Sequence, residues 1–195
     1  MAIFINRKGF TSHTSAGLQK GVGFTLIELL VVVAIIGILS TTTVVNLNVA
    51  KAKARDARRL SDMKRILLAL QIYYETNDNQ YPPNPTIPTA YCGNMDGGYI
   101  GVGENFIAAL TAENIMTKVP VDPLPNDPIN YCYGYFLYQA GLNGCDSSRG
   151  KYFVLTIRNL ETLADGIVHP SSPGWQCGVA NWETAYDWVV GGYEN

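Results

Sequence analysis

Residues 23–45 read Gly23-Phe24-Thr25-Leu26-Ile27-Glu28-Leu29-Leu30-Val31-Val32-Val33-Ala34-Ile35-Ile36-Gly37-Ile38-Leu39-Ser40-Thr41-Thr42-Thr43-Val44-Val45. As a helix, Phe24 to Val45 would rise about 33 Å, enough to cross the hydrocarbon core of a bilayer. The uninterrupted apolar stretch from Leu29 to Leu39 carries that expectation. Glu28 is the only charge in the run. A carboxylate in a membrane helix is costly, so it marks a functional position unless it sits solvated at the interface. The preceding 23 residues contain Arg7, Lys8 and Lys20 and no acid. They lack the apolar stretch of a complete secretory signal, because here the apolar run follows.

Gly23 through Val32, one acid at a fixed place in an apolar run behind a basic leader, resembles the processing and assembly motif of type IV pilins and type II secretion pseudopilins. The resemblance implies cleavage after Gly23 by a membrane prepilin peptidase and methylation of the new N-terminus at Phe24. It makes Glu28 the fifth residue of the mature chain. A pairing of the Phe24 ammonium with the Glu28 carboxylate of a neighbouring subunit would neutralise two charges in apolar surroundings and so set subunit register. The leader, at 23 residues, is longer than is usual in that group. A second Gly-Phe, Gly9-Phe10, precedes Thr-Ser-His-Thr-Ser rather than an apolar run and is no rival cut site.

No Gly or Pro occurs between Gly37 and Pro82, so the helix is expected to continue to about residue 78. Leu60, Met63, Leu67, Leu70 and Tyr74 recur at spacings of three and four, which predicts the buried face. Before that face, Lys51, Lys53, Arg55, Arg58, Arg59, Lys64 and Arg65 form a cationic stretch with only Asp56 and Asp62 against it. Without a zipper, a helix-turn-helix or interleaved aromatics, it reads as a segment facing anionic lipid heads, or as a solvated face meeting acids of neighbouring subunits. Seven basic residues after the span and three before it would place the C-terminal part in the cytoplasm. The prepilin motif and paired cysteines imply the reverse, with the N-terminus inside.

Tyr81-Pro82-Pro83-Asn84-Pro85 ends the helix, since proline cannot continue it and restricts the residue before it. A loop over 84–103, a short helix from Glu104 to about Glu113, and strands over Tyr131–Tyr138 and Lys151–Arg158 follow. Trp182–Val190 offers a third strand. The Pro120-Val121-Asp122-Pro123 turn and the basic, alanine-rich stretch from residue 51 resemble the major-pseudopilin type of head. The expected fold is therefore α+β: a pilin fold with a long N-terminal helix, its first half transmembrane, packed on a small antiparallel sheet. Its parts are a leader (1–23), a transmembrane half-helix (24–45), an amphipathic half-helix (46–78) and a head (79–195).

Cys92, Cys132, Cys145 and Cys177 are even in number and lack metal-ligand spacing, so two disulfides in an oxidising compartment are expected, with three pairings open. Cys132–Cys145 is the awkward pair if one opens a strand and the other sits in a turn. Residues 1–74 carry ten Lys/Arg and three Asp/Glu, a balance of +7, and residues 75–195 carry four and thirteen, a balance of −9. An acidic head is a poor surface for nucleic acid. His169 beside Ser171 and Ser172 reads as a loop coincidence rather than a triad. Asp122, Asp127, Asp146 and Asp165 are scattered and read as solvated; some members of the resembled group bind a structural calcium, for which no motif stands out here. No catalytic residue, metal or other cofactor is expected.

The function expected is a structural subunit of a type IV pilus or type II secretion pseudopilus, anchored once in the inner membrane with its head periplasmic or extracellular. Its partners would be the prepilin peptidase, other subunits in a helical filament, the inner-membrane assembly platform and membrane lipid. A membrane-tethered minor pilin acting as a binding module for DNA, a surface or a secreted substrate is the alternative.

Overall fold

The structure is a computed structural model that describes residues 23–84, Cys92, 106–124 and 130–195, without the side chains of residues 41–45. Helix α1 spans Leu26–Thr76. The chain divides into two compact units, one ending at Val44 and the other running from Val45 to Asn195, and each is described by itself.

In the first unit the apolar side chains lie exposed around the helix, with Phe24 and Leu26 each 81% exposed and Leu39 60%. Among the described residues no helix is long and apolar enough to cross a membrane. The helical stretch from Leu26 to Leu39, where the described apolar side chains of this unit end, rises about 21 Å against the ~30 Å of a hydrocarbon core.

In the second unit α1 ends where Asp78 and Asn79 take left-handed backbone conformations and the Asn79 amide returns to the Tyr74 carbonyl. The buried stripe runs through Asp56, Arg59, Met63, Ile66, Leu70 and Tyr73. It is thus turned from the expected Leu60–Tyr74 face; Leu60 and Leu67 are only partly buried against the core, and Leu68 stays exposed. Apolar spacing alone could not locate the stripe, because two of its members, Asp56 and Arg59, are charged.

A three-stranded antiparallel meander packs on this helix: β1 (Tyr133–Tyr138), β2 (Tyr152–Ile157) and β3 (Trp188–Tyr193), in the order β1-β2-β3. Tyr135 faces Leu155 and Leu155 faces Val190 in register. Alternate residues Tyr133, Tyr135, Leu137, Phe153, Leu155, Ile157, Trp188 and Val190 join the α1 side chains in the main core. The short helix α2 is confined to Ala108–Ala112, with Leu110 buried; it begins late because Ile107 is left-handed. The third strand lies six residues later than expected from Trp182, because the Asn181 side chain accepts the Glu183 amide and closes a 3-10 turn at Trp182–Thr184. Asn84 covers the open edge of β1, donating to the Leu137 carbonyl and accepting its amide at 2.8 and 2.7 Å, which blunts an otherwise free strand edge.

The opposite sheet face is covered too. Tyr138, Tyr152, Val154 and Val189 form a second buried cluster with Trp182 and Tyr186. Cys92–Cys132 and Cys145–Cys177 hold that covering, with Cα separations of 5.8 and 4.7 Å. At the second clasp, Gly144 has φ +73 and a Cβ there would lie 3.2 Å from the Gly178 Cα, so two loop backbones meet at a distance only glycine permits.

Arg59 decides how α1 meets this domain. It is 0% exposed. Its guanidinium donates to Asp122 at 2.8 and 3.0 Å, to Asp56 at 2.7 Å and to Glu161 at 2.7 Å. Arg55 also pairs with Glu161. Asp56 accepts the Glu161 and Thr162 amides and the Thr162 hydroxyl. Burial alone would lower the Arg59 pKa; the bonds from Asp122, Glu161 and Asp56 override it and hold the pKa above its ordinary value. Removing one partner of a buried ion set leaves the others uncompensated, at a cost of about 3–5 kcal/mol. Arg59→Ala should therefore lower the unfolding free energy by about that amount in urea titration of the full chain in detergent, whereas Arg58→Ala, on an exposed side chain, should cost under about 1 kcal/mol.

Glu161 is held below its ordinary pKa of 4.5, first by the bond from Arg55, against burial, and then by Arg59. A depressed acid contributes stability that is complete above its unfolded value and is lost as pH falls through the folded one. The urea-midpoint difference between the parent and Glu161→Gln should be constant from pH 7 to about 5 and shrink only below pH 4.5.

Candidate functional site

At the start of α1, Thr25 and Glu28 close on each other. The Thr25 amide and hydroxyl donate to Glu28 Oε2 at 2.8 and 2.7 Å, and the Glu28 amide returns to Thr25 Oγ1 at 3.3 Å. Thr25-Leu26-Ile27-Glu28 is a capping box, in which residue N-cap and residue N3 satisfy each other's orphan amides. That role for Glu28 follows from the T-x-x-E spacing and was hidden behind its oddity as an acid in an apolar run. Both bonds from Thr25 end on Oε2. Gly23 and Phe24 precede the helix, with Phe24 exposed. The segment therefore presents an exposed aromatic side chain and a capped carboxylate within six residues.

The cationic stretch is divided by the fold. Lys51, Lys53, Arg58, Lys64 and Arg65 are exposed, while Arg59 is buried in the ion cluster and Arg55 is turned toward Glu161. The reading of a uniformly lipid-facing or solvated basic face is corrected for those two. Asp62 is also buried, and accepts from the Tyr133 hydroxyl at 3.1 Å; burial raises its pKa, against that bond and the nearby Arg58 and Arg65.

The acids read as solvated separate in the same way. Asp122 is only 4% exposed and holds Arg59. Asp146 accepts from Ser148 in an exposed turn, Asp165 is exposed, and Asp127 lies outside the described residues. Among the described residues no group of three His, Cys, Asp or Glu side chains is arranged to hold a metal ion. His169 Nδ1 lies 2.8 Å from Ser171 Oγ, a contact made inside one exposed turn. The same ring nitrogen also receives the Ser171 amide, so it serves turn geometry.

A family model described as the prokaryotic N-terminal methylation motif matches residues 23–44. The type II secretion system core protein G of Escherichia coli (strain K12) is 30% identical over 140 residues, covering 65% of this chain and 85% of that protein. The chain belongs to the type II secretion system core protein G family. The namesake of Vibrio cholerae is 33% identical over 122 residues, covering 56% of this chain and 70% of that protein, and that of Aeromonas hydrophila 36% over 88 residues, 40% and 61%. No solved structure matches the chain. With the methylation motif at its N-terminus, this family member is a pilin-like prepilin, and the α+β architecture described above is that of a pilin.

Thr25→Val keeps the side-chain shape but removes both hydroxyl bonds of the capping box. Loss of such a cap costs about 1 kcal/mol, so amide exchange over residues 25–29 in micelles should quicken about fivefold while exchange in β2 stays unchanged.

Proposed function

We propose that the chain is a structural subunit of a type II secretion pseudopilus. The observation that carries this is the match of residues 23–44 to the methylation motif on a chain whose family is core protein G. In this reading a prepilin peptidase cuts after Gly23, and Phe24 becomes the methylated N-terminus. Before assembly the apolar half of the helix crosses the inner membrane once, N-terminus inside, with the disulfide-bonded head on the oxidising side. The physical support is the exposed apolar surface around the first unit. Such a surface is stable only in lipid or among like helices. The inner-membrane assembly platform would then transfer each subunit from lipid into the filament.

Glu28 is the register element. Its caps on Thr25 hold the carboxylate still, and the Phe24 ammonium of an adjacent subunit neutralises it as both leave water. An uncompensated charge at that depth costs several kcal/mol, so only the aligned neighbour is tolerated. Glu28→Gln should still lose residues 1–23, as read by mass spectrometry of the mature chain, yet yield no sheared filaments. Filaments of normal amount and length from the variant would overturn the register role, and an uncut variant would overturn its separation from cleavage.

A further inference from the structure

On the sheet face away from α1, a cleft of about 680 Å³ opens between the aromatic cluster and the loops clasped by Cys145–Cys177. This is the size of a small-ligand site rather than of an ion site. Phe136, Tyr138, Trp182 and Tyr186 form its wall. Tyr138 holds Trp182 edge-on at 5.5 Å and Phe136 at 4.5 Å, so these three rings pack as one aromatic block.

Two amides stand on the rim, each with one half already committed. Asn143 donates its NH2 to the Tyr152 hydroxyl at 3.2 Å, which fixes its orientation and leaves the carbonyl oxygen to accept. Asn181 accepts the Glu183 amide at 2.9 Å, which leaves its NH2 to donate. The Thr184 hydroxyl locks the same turn by donating to the Asn181 carbonyl at 2.8 Å. The rim backbones are fixed as well, the Val179 amide donating to the Asn143 carbonyl at 3.1 Å. Among the described residues no Lys, Arg, Asp or Glu lines the cleft.

We propose that this cleft binds a short neutral oligosaccharide. A charged ligand finds no counter-ion among the described lining residues, and buried charge without a partner is costly. A purely apolar ligand would strand the two amides, whose desolvation costs free energy if unanswered. A pyranose meets both demands. Its C–H face packs on aromatic carbon, and adjacent hydroxyls both donate and accept, matching one fixed acceptor and one fixed donor. The site is held by the sheet and the Cys145–Cys177 clasp and does not depend on filament assembly.

The test is calorimetric titration of the full chain in detergent with cellotetraose, chitotetraose and mannotetraose. At least one should bind saturably. Asn181→Asp keeps the acceptor that caps the 3-10 turn but removes the donor, and should weaken binding about tenfold, the worth of about one hydrogen bond. Asn143→Gly suits the left-handed backbone there and should weaken it similarly; near-UV circular dichroism identical to the parent shows that the cleft is intact. Absence of saturable binding by all three sugars, or unchanged affinity in both variants, overturns the proposal. So does a photo-crosslinker at Val179, 83% exposed on the rim, that captures a second copy of the chain in assembled filaments.

Discussion

A guanidinium shut away from water must be met by acceptors on every side, and Arg59 is met by three carboxylates from three parts of the chain. Asp56 comes from the same helix, Asp122 from the Pro-Val-Asp-Pro turn, and Glu161 from the segment after β2. The cluster therefore fixes where α1 meets the loops before any apolar packing is counted. A hydrophobic contact tolerates sliding, whereas this one tolerates almost none, because a shift of one ångström unpairs a buried charge. The apolar stripe from Met63 to Tyr73 then closes in the only rotation that arrangement leaves.

The small sheet has an unusual burden. Three strands normally bury one face and wet the other, yet here both faces carry aromatic clusters. Among the described residues no α-helix covers the second face. Loops cover it instead, and loops on so small a domain lack the apolar area to stay down by packing alone. The two disulfides supply that constraint by restricting the unfolded chain.

The N-terminal segment obeys a different balance. Its described apolar side chains lie exposed along the helix, and its one carboxylate caps the helix that carries it. Capping satisfies the first orphan amides of α1, which in the proposed membrane and filament settings would have no water to turn to. One residue thus serves helix initiation, and in the proposed filament the same carboxylate serves register through its other oxygen. The two uses are compatible because a carboxylate has acceptor sites to spare.

What the sequence determined by itself was contiguous. Gly23-Phe24-Thr25-Leu26-Ile27-Glu28 is legible because its residues are neighbours in the chain, and the end of α1 is legible because proline acts locally at Pro82. The strands at Tyr133 and Tyr152 were legible within two residues, since aromatic and β-branched runs advertise a pleated surface. What only the tertiary structure decided was anything joining distant positions. Arg59 looked like one cation among seven, and Asp122 like one loop acid among several; nothing within a few residues of either announces a partner 63 positions away. The pairing Cys92–Cys132 with Cys145–Cys177, the displacement of β3 to Trp188 and the rotation of the buried stripe arose for the same reason. Local sequence sets what a segment can be, and burial of charge and cross-linking between remote segments set which of those options the fold can satisfy.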